Sequence, residues 1–157
     1  WIYAIATNRI IDAMFSRTVH IPFEIKSDEK SDLAKQCFIR CCQVLDNEKH
    51  PDSFVGNGIH KAGSLYDLIG YPAEDIYPAG EWNQCVLEVN QTANIAHVTM
   101  NEKTTISFPL HGVEWKKMVD NCIFKDWEGF GKYSTGHIGL EDHSDQVSYR
   151  NIKIKKL

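Results

Sequence analysis

Asp46, Glu48 and His50 stand at alternate positions in the run DNEKH, which brings two carboxylates and an imidazole into one short segment. Such groups move protons or bind cations. In an extended segment positions i, i+2 and i+4 point to the same side, so the three are expected to converge on one ligand, with Asp46 as a candidate metal ligand. The competing reading is a solvated turn, in which Asp46 and Asn47 bond the local backbone as short polar side chains commonly do. A second group lies near the end of the chain in GHIGLEDH, residues 136–143, where His137, Glu141 and His143 share one strand parity and Asp142 stands between the last two. A carboxylate beside a histidine orients the imidazole and raises its basicity, which suits a general base or a metal ligand. An ordinary exposed strand face is the bland alternative.

The elements that must position these groups are mostly strands. Residues 17–26 alternate Val19, Ile21, Phe23 and Ile25 with polar positions, the pattern of a half-buried strand, and Pro22 within it points to an edge or a bulge. Residues 1–12 carry a looser strand pattern, and residues 37–46 read as a central strand. A long loop with Pro51, Gly56 and Gly58 follows, and long ordered loops on small domains often carry function. Residues 62–69 and 83–89 read as strands around a Pro/Gly-rich connector, and residues 93–100 and 104–108 as a hairpin turning at Asn101-Glu-Lys. Residues 113–122 are the one convincing helix, with Trp115, Met118, Val119 and Cys122 on one face. Ile138 and Leu140 begin a closing hairpin whose second strand carries Val147 and Tyr149 on one parity and Ile152 and Ile154 on the other. Burying all four requires a one-residue bulge near Arg150-Asn151. Many short strands and one helix predict an all-β protein of two packed antiparallel sheets in a single domain spanning residues 1–157.

Composition narrows the function classes. Hydrophobic content of 43% and charged content of 24% are ordinary globular values. A net charge of -4 argues against nucleic acid as a partner, since binding it takes a clustered basic face. No apolar run approaches the ~20 residues that cross a bilayer. Cys37, Cys41, Cys42, Cys85 and Cys122 are odd in number without a C-x-x-C pair, and unpaired core thiols are expected. No G-x-S-x-G, Walker, dinucleotide or zincin motif occurs, which disfavours serine-nucleophile and nucleotide chemistry.

GHIGLEDH followed by RNIKI is similar to the closing motif of the 3-keto-disaccharide hydrolase family. Three further stretches, VLDNEKHPD at 44–52, AGSLYDLI at 62–69 and PAGEWN at 78–83, follow in that family's order. The resemblance implies a concanavalin-like jelly roll, a periplasmic or extracellular location, and cleavage of glycosides whose sugar carries a ketone at C3. It implies His50 or His143 as the base that removes the C2 hydrogen, with Asp46, Glu48 and Asp142 as orienting groups or ligands of a divalent Ca²⁺, Mn²⁺ or Zn²⁺ ion. Arg40, Gln43 and Tyr66, on strand-like runs, and His137 and Glu141, on the closing strand, are available to grip the hydroxyls of an oligosaccharide or glycoside ligand. His97 joins them because relatives often carry a histidine in that stretch. Trp82 and Trp127 offer sugar-stacking faces, against which stands the tendency of tryptophan to be core. The chain departs from the family at Cys41 and Cys42, where a glutamate and an aromatic residue are usual, and at Glu141, where glutamine is usual. A non-catalytic carbohydrate-binding module is the rival expectation, because the jelly roll is also a lectin scaffold. A structural domain of a larger surface protein is a third.

Overall fold

Period-two alternation of apolar and polar residues sets the architecture, and the computed structural model describes it over residues 10–11, 19–27, 45–127, 129–132, 138–139 and 147–156. In chain order the regular elements are β1 (Ile10–Ile11), β2 (Val19–Ser27), β3 (Asn83–Asn90), β4 (Ile95–Met100), β5 (Thr105–Phe108), α1 (Val113–Asp120), β6 (Ile138–Gly139), β7 (Val147–Arg150) and β8 (Lys155–Lys156). One antiparallel sheet runs β5-β4-β3-β2-β7, with β8 also paired to β2, and β1 pairs with β6 in a separate two-stranded sheet. The fold is all-β with one short helix, as the pattern of short strands implied.

β4 shows why the sheet has an inside. Ala96, Val98 and Met100 are buried, while His97 and Thr99 alternate with them on the other face. The inner face continues through Cys85 and Val89 on β3 and Phe108 on β5, all buried in the same cluster. An aromatic layer packs against it: Tyr66 and Tyr71 come from the loops before β3, Trp115 from α1, and Phe124 and Phe130 from the turns after it. α1 buries Trp115 and leaves Val113 exposed, as its helical spacing requires.

The β4–β5 hairpin turns where expected, because Asn101 and Glu102 take left-handed φ values of 52° and 58°, the geometry of the tight turns that match strand twist. The closing bulge is present too. Glu24 pairs with Arg150 but His20 pairs with Lys155, so the register slips by one residue between β7 and β8. Asn151, with φ 56°, makes the break. Ile152 is buried beyond it, but Ile154 is exposed. Pro22 pairs with Val86 of β3 and lies between the β7 and β8 pairings on its other side, where the bulge makes no ladder demand on it.

Three expectations are corrected. β6 and β7 are not partners in a hairpin: β6 pairs with β1 and β7 with β2, so the chain passes from one sheet to the other between them. Residues 62–69 form turns with a single bridge between Leu65 and Ile69, because Gly63 and Asp67 have φ values of 82° and 59°, which no strand accommodates. Gly63 is required twice over, since a Cβ there would lie 2.9 Å from Cγ of Tyr71. Cys85 is disulfide-bonded rather than a free thiol, whereas Cys122 is free and buried.

Candidate functional site

Residues 46–50 are a turn, not an extended segment, and this changes what their side chains do. Oδ1 of Asp46 accepts the backbone N–H groups of Glu48 and Lys49 at 2.9 and 3.3 Å, and the carboxylate is buried in that task. Glu48 is exposed and His50 half-buried. Without a strand, positions 46, 48 and 50 are not brought to one side. Among the described residues no cluster of three histidine, cysteine or acidic side chains fits a metal ion, and Asp46 in particular has its inner oxygen committed to the backbone.

His50 caps a short 3-10 turn, Pro51–Phe54, with Pro51 at its first position. Its Nδ1 accepts the backbone N–H of Asp52 at 3.2 Å. An accepting Nδ1 puts the proton of the neutral ring on Nε2. His50 in this form is a hydrogen-bond donor, and no other described residue bonds its Nε2.

Behind His50 lies a group that spacing alone does not mark. His60 is 5% exposed. Its Nδ1 meets Oδ1 of Asp52 at 2.9 Å and its Nε2 meets Oδ1 of Asp67 at 2.7 Å. The second oxygen of Asp52 accepts the Tyr66 hydroxyl at 2.7 Å, and the second oxygen of Asp67 accepts the backbone N–H of Ile123 at 2.6 Å. Burial pushes the His60 pKa down, but the hydrogen bonds to Asp67 and Asp52 push it up by more, so the net shift is upward. Both ring nitrogens face carboxylate oxygens, which only accept, and this arrangement favours the ring protonated on both nitrogens. Asp67 reaches this position through its left-handed backbone, a conformation a non-glycine residue keeps where its surroundings hold it.

The sequence-derived candidates separate accordingly. Tyr66 is buried with its hydroxyl on Asp52, so it supports the loop rather than meeting a ligand directly. His97 lies on the outer face of β4, where its Nδ1 meets Oγ of Ser107 at 2.7 Å, away from the cluster on the loops. Trp82 is half-buried under the Arg150 guanidinium, 3.9 Å from the ring centroid, and Trp127 is partly exposed edge-on to Phe124. Arg40, Gln43, His137, Glu141, Asp142 and His143 lie outside the described residues. Asp52, His60 and Asp67 were missed, although Asp52 and Asp67 stand inside the quoted motifs. The available signal was a histidine flanked by aspartates in a glycine-rich loop too long for a bare connection.

Residues 20–155 match the family of 3-keto-alpha-glucoside-1,2-lyase-like domains. A 3-keto-disaccharide hydrolase of Bacteroides thetaiotaomicron is 30% identical over 133 residues, which are 73% of this chain and 43% of that protein. The chain thus spans less than half the length of this curated relative. Among solved structures, a candidate glycosyl hydrolase from Parabacteroides distasonis superposes with a TM-score of 0.76 at 19% identity, covering 94% of this chain and 75% of that one. A second candidate glycosyl hydrolase from the same organism superposes with a TM-score of 0.63 at 15% identity, covering 99% and 90%. At these identities the likeness is one of fold.

Proposed function

The chain belongs to the 3-keto-alpha-glucoside-1,2-lyase-like domain family, and we propose that it cleaves glycosides carrying a ketone at C3 of the sugar. The ketone acidifies the C2 hydrogen, so a base can remove it and leave the electron pair as an enolate on the C3 oxygen. The pair then returns to form a C1=C2 bond and expels the aglycone oxygen from C1, which takes up a proton. Water adds across C1=C2 and yields the free 3-keto sugar. The step that costs most is the enolate, and a positioned donor lowers it.

His50 supports this reading. Its Nδ1 is held by the Asp52 N–H, so the ring presents Nε2–H to a developing oxyanion, and this single hydrogen bond carries the assignment. The base is assigned to His143 with Asp142 as its orienting partner, from the closing motif. Exposed Glu48 stands two residues from His50, where it can meet the sugar's hydroxyls. A divalent ion is given no step here: Asp142, which would join Asp46 and Glu48 in holding one, lies outside the described residues. The disulfide at Cys85 supports a periplasmic or extracellular location, where such bonds persist.

Incubating the full chain with 3-keto-trehalose or 3-keto-lactose, with the parent disaccharides as controls and with and without chelator, tests the proposal. Release of monosaccharide from the keto substrates alone is the expected result. Saturable binding without release would instead make the chain a carbohydrate-binding module.

A further inference from the structure

We infer that His60 is a positioning residue for His50, acting through Asp52. The inference deepens the reading above and depends on it for the role of His50. Asp52 touches both histidines with different atoms: its backbone N–H holds Nδ1 of His50 at 3.2 Å, and its carboxylate holds Nδ1 of His60 at 2.9 Å. The carboxylate contacts thus hold the Asp52 main chain in place, and a shift of that main chain on their loss moves the N–H that decides which nitrogen of His50 carries the proton.

Two residues bond that carboxylate directly, and two more back one of them. Tyr66 donates to its second oxygen at 2.7 Å, and His60 bridges it to Asp67, 2.7 Å from Nε2. Asp67 is in turn anchored by the Ile123 N–H at 2.6 Å, on the turns that follow α1. The ring of His60 is also stacked on Tyr66 with centroids 4.3 Å apart. Both nitrogens of His60 are engaged by carboxylates, which leaves neither free for a ligand. It is built to hold, not to react. Deleting it leaves Asp52 and Asp67, with side chains 21% and 12% exposed, partly buried without their shared cation. Unpaired charge in such a place is relieved by movement of the segment that carries it.

Ring ¹⁵N spectra of the full chain, labelled at histidine and assigned with His50→Gln, test the inference without any substrate. Wild-type His50 is expected to show a bare Nδ1 and a protonated Nε2. In His60→Gln its two nitrogens should move toward averaged values, as the tautomers mix. On 3-keto-trehalose the same variant should lose ~10- to 100-fold in kcat with KM changed by less than about twofold, the signature of misplaced rather than missing binding groups. Tyr66→Phe removes one bond to Asp52 and keeps the aromatic ring, so a partial shift of the His50 signals and a smaller loss of kcat are expected. His50 signals at their wild-type positions in folded His60→Gln overturn the inference, as does a loss of kcat without a tautomer change. If His60→Gln does not fold, unchanged His50 signals in Tyr66→Phe overturn it instead. If wild-type protein cleaves no keto substrate, the proposed function falls, and the spectra alone decide the positioning.

Discussion

The imidazole of His60 lies over the phenol ring of Tyr66, with centroids 4.3 Å apart and planes at 20°. A ring that is cationic between two aspartates also gains from the electron-rich face beneath it. The arrangement ties proton binding to folding. The folded-state pKa of His60 is raised: burial opposes protonation, and the hydrogen bonds to Asp67 and Asp52 overcome it. Protons then bind more tightly to the folded chain than to the unfolded one. The stabilisation is complete below the unfolded value of ~6.5 and is lost as pH rises through the higher folded value. The gap in melting temperature between wild type and His60→Gln should be widest near pH ~6 and narrow steadily toward pH ~9. A gap independent of pH would show that folding does not raise the pKa of this ring, and a gap that widens with pH would show that the ring is neutral in the fold.

Tyr71 offers a test away from the site. Its buried hydroxyl accepts the Met100 N–H at 3.0 Å and donates to the carbonyl of Thr104, which joins the loop before β3 to the β4–β5 hairpin. Tyr71→Phe keeps the ring and orphans a buried backbone donor. Chemical denaturation should show a loss of about 1–3 kcal/mol, the cost of an unsatisfied buried polar group.

β3, β4, β5 and α1 were legible because each is a run long enough to display its period, and their inner residues, Val98 and Trp115 among them, are buried as the period requires. The slip at Asn151 was legible for the same reason, since the parity of the apolar residues changes across it. The site was not. His60 meets partners eight residues before it and seven after, across a path with left-handed Gly56, Asn57, Gly58 and Asp67. No periodicity survives such a path. Alternation was also the wrong rule at 46–50, where the carboxylate of Asp46 found two backbone donors and curled the segment into a turn.

Phe124 joins the core to the site. It is buried, stacks on Phe130 with centroids 4.5 Å apart and meets Trp127 edge-on at 5.0 Å. The next residue back, Ile123, supplies the N–H that anchors Asp67. Phe124→Ala should cost about 3–5 kcal/mol, as large-to-small changes of buried aromatics do. A shift of melting temperature within error would mean that the aromatic layer is less closely packed than these distances indicate.

The roles of Asp46 and His50 can be separated by two single variants, because the structure commits one to the turn and the proposed function gives the other to the ligand. Asp46 spends Oδ1 on the N–H groups of Glu48 and Lys49, a capping task. Asp46→Ala should therefore cost about 0.5–2 kcal/mol of stability, the usual penalty for losing a side-chain cap. It should leave the turnover of 3-keto-trehalose within a few-fold of wild type, since that carboxylate is buried against the backbone of its own turn. His50 is half-buried at the surface of the same loop and contributes one bond, from the Asp52 N–H, to the fold. His50→Ala should therefore cost no more stability than the loss of one side-chain cap, about 0.5–2 kcal/mol, yet lose ~10²–10³-fold in kcat, the range expected for deleting one donor to a developing oxyanion. Thermal melts and steady-state kinetics on both variants read the two effects independently. If Asp46→Ala abolishes turnover while His50→Ala retains it, the assignments are reversed and the carboxylate, not the imidazole, faces the sugar.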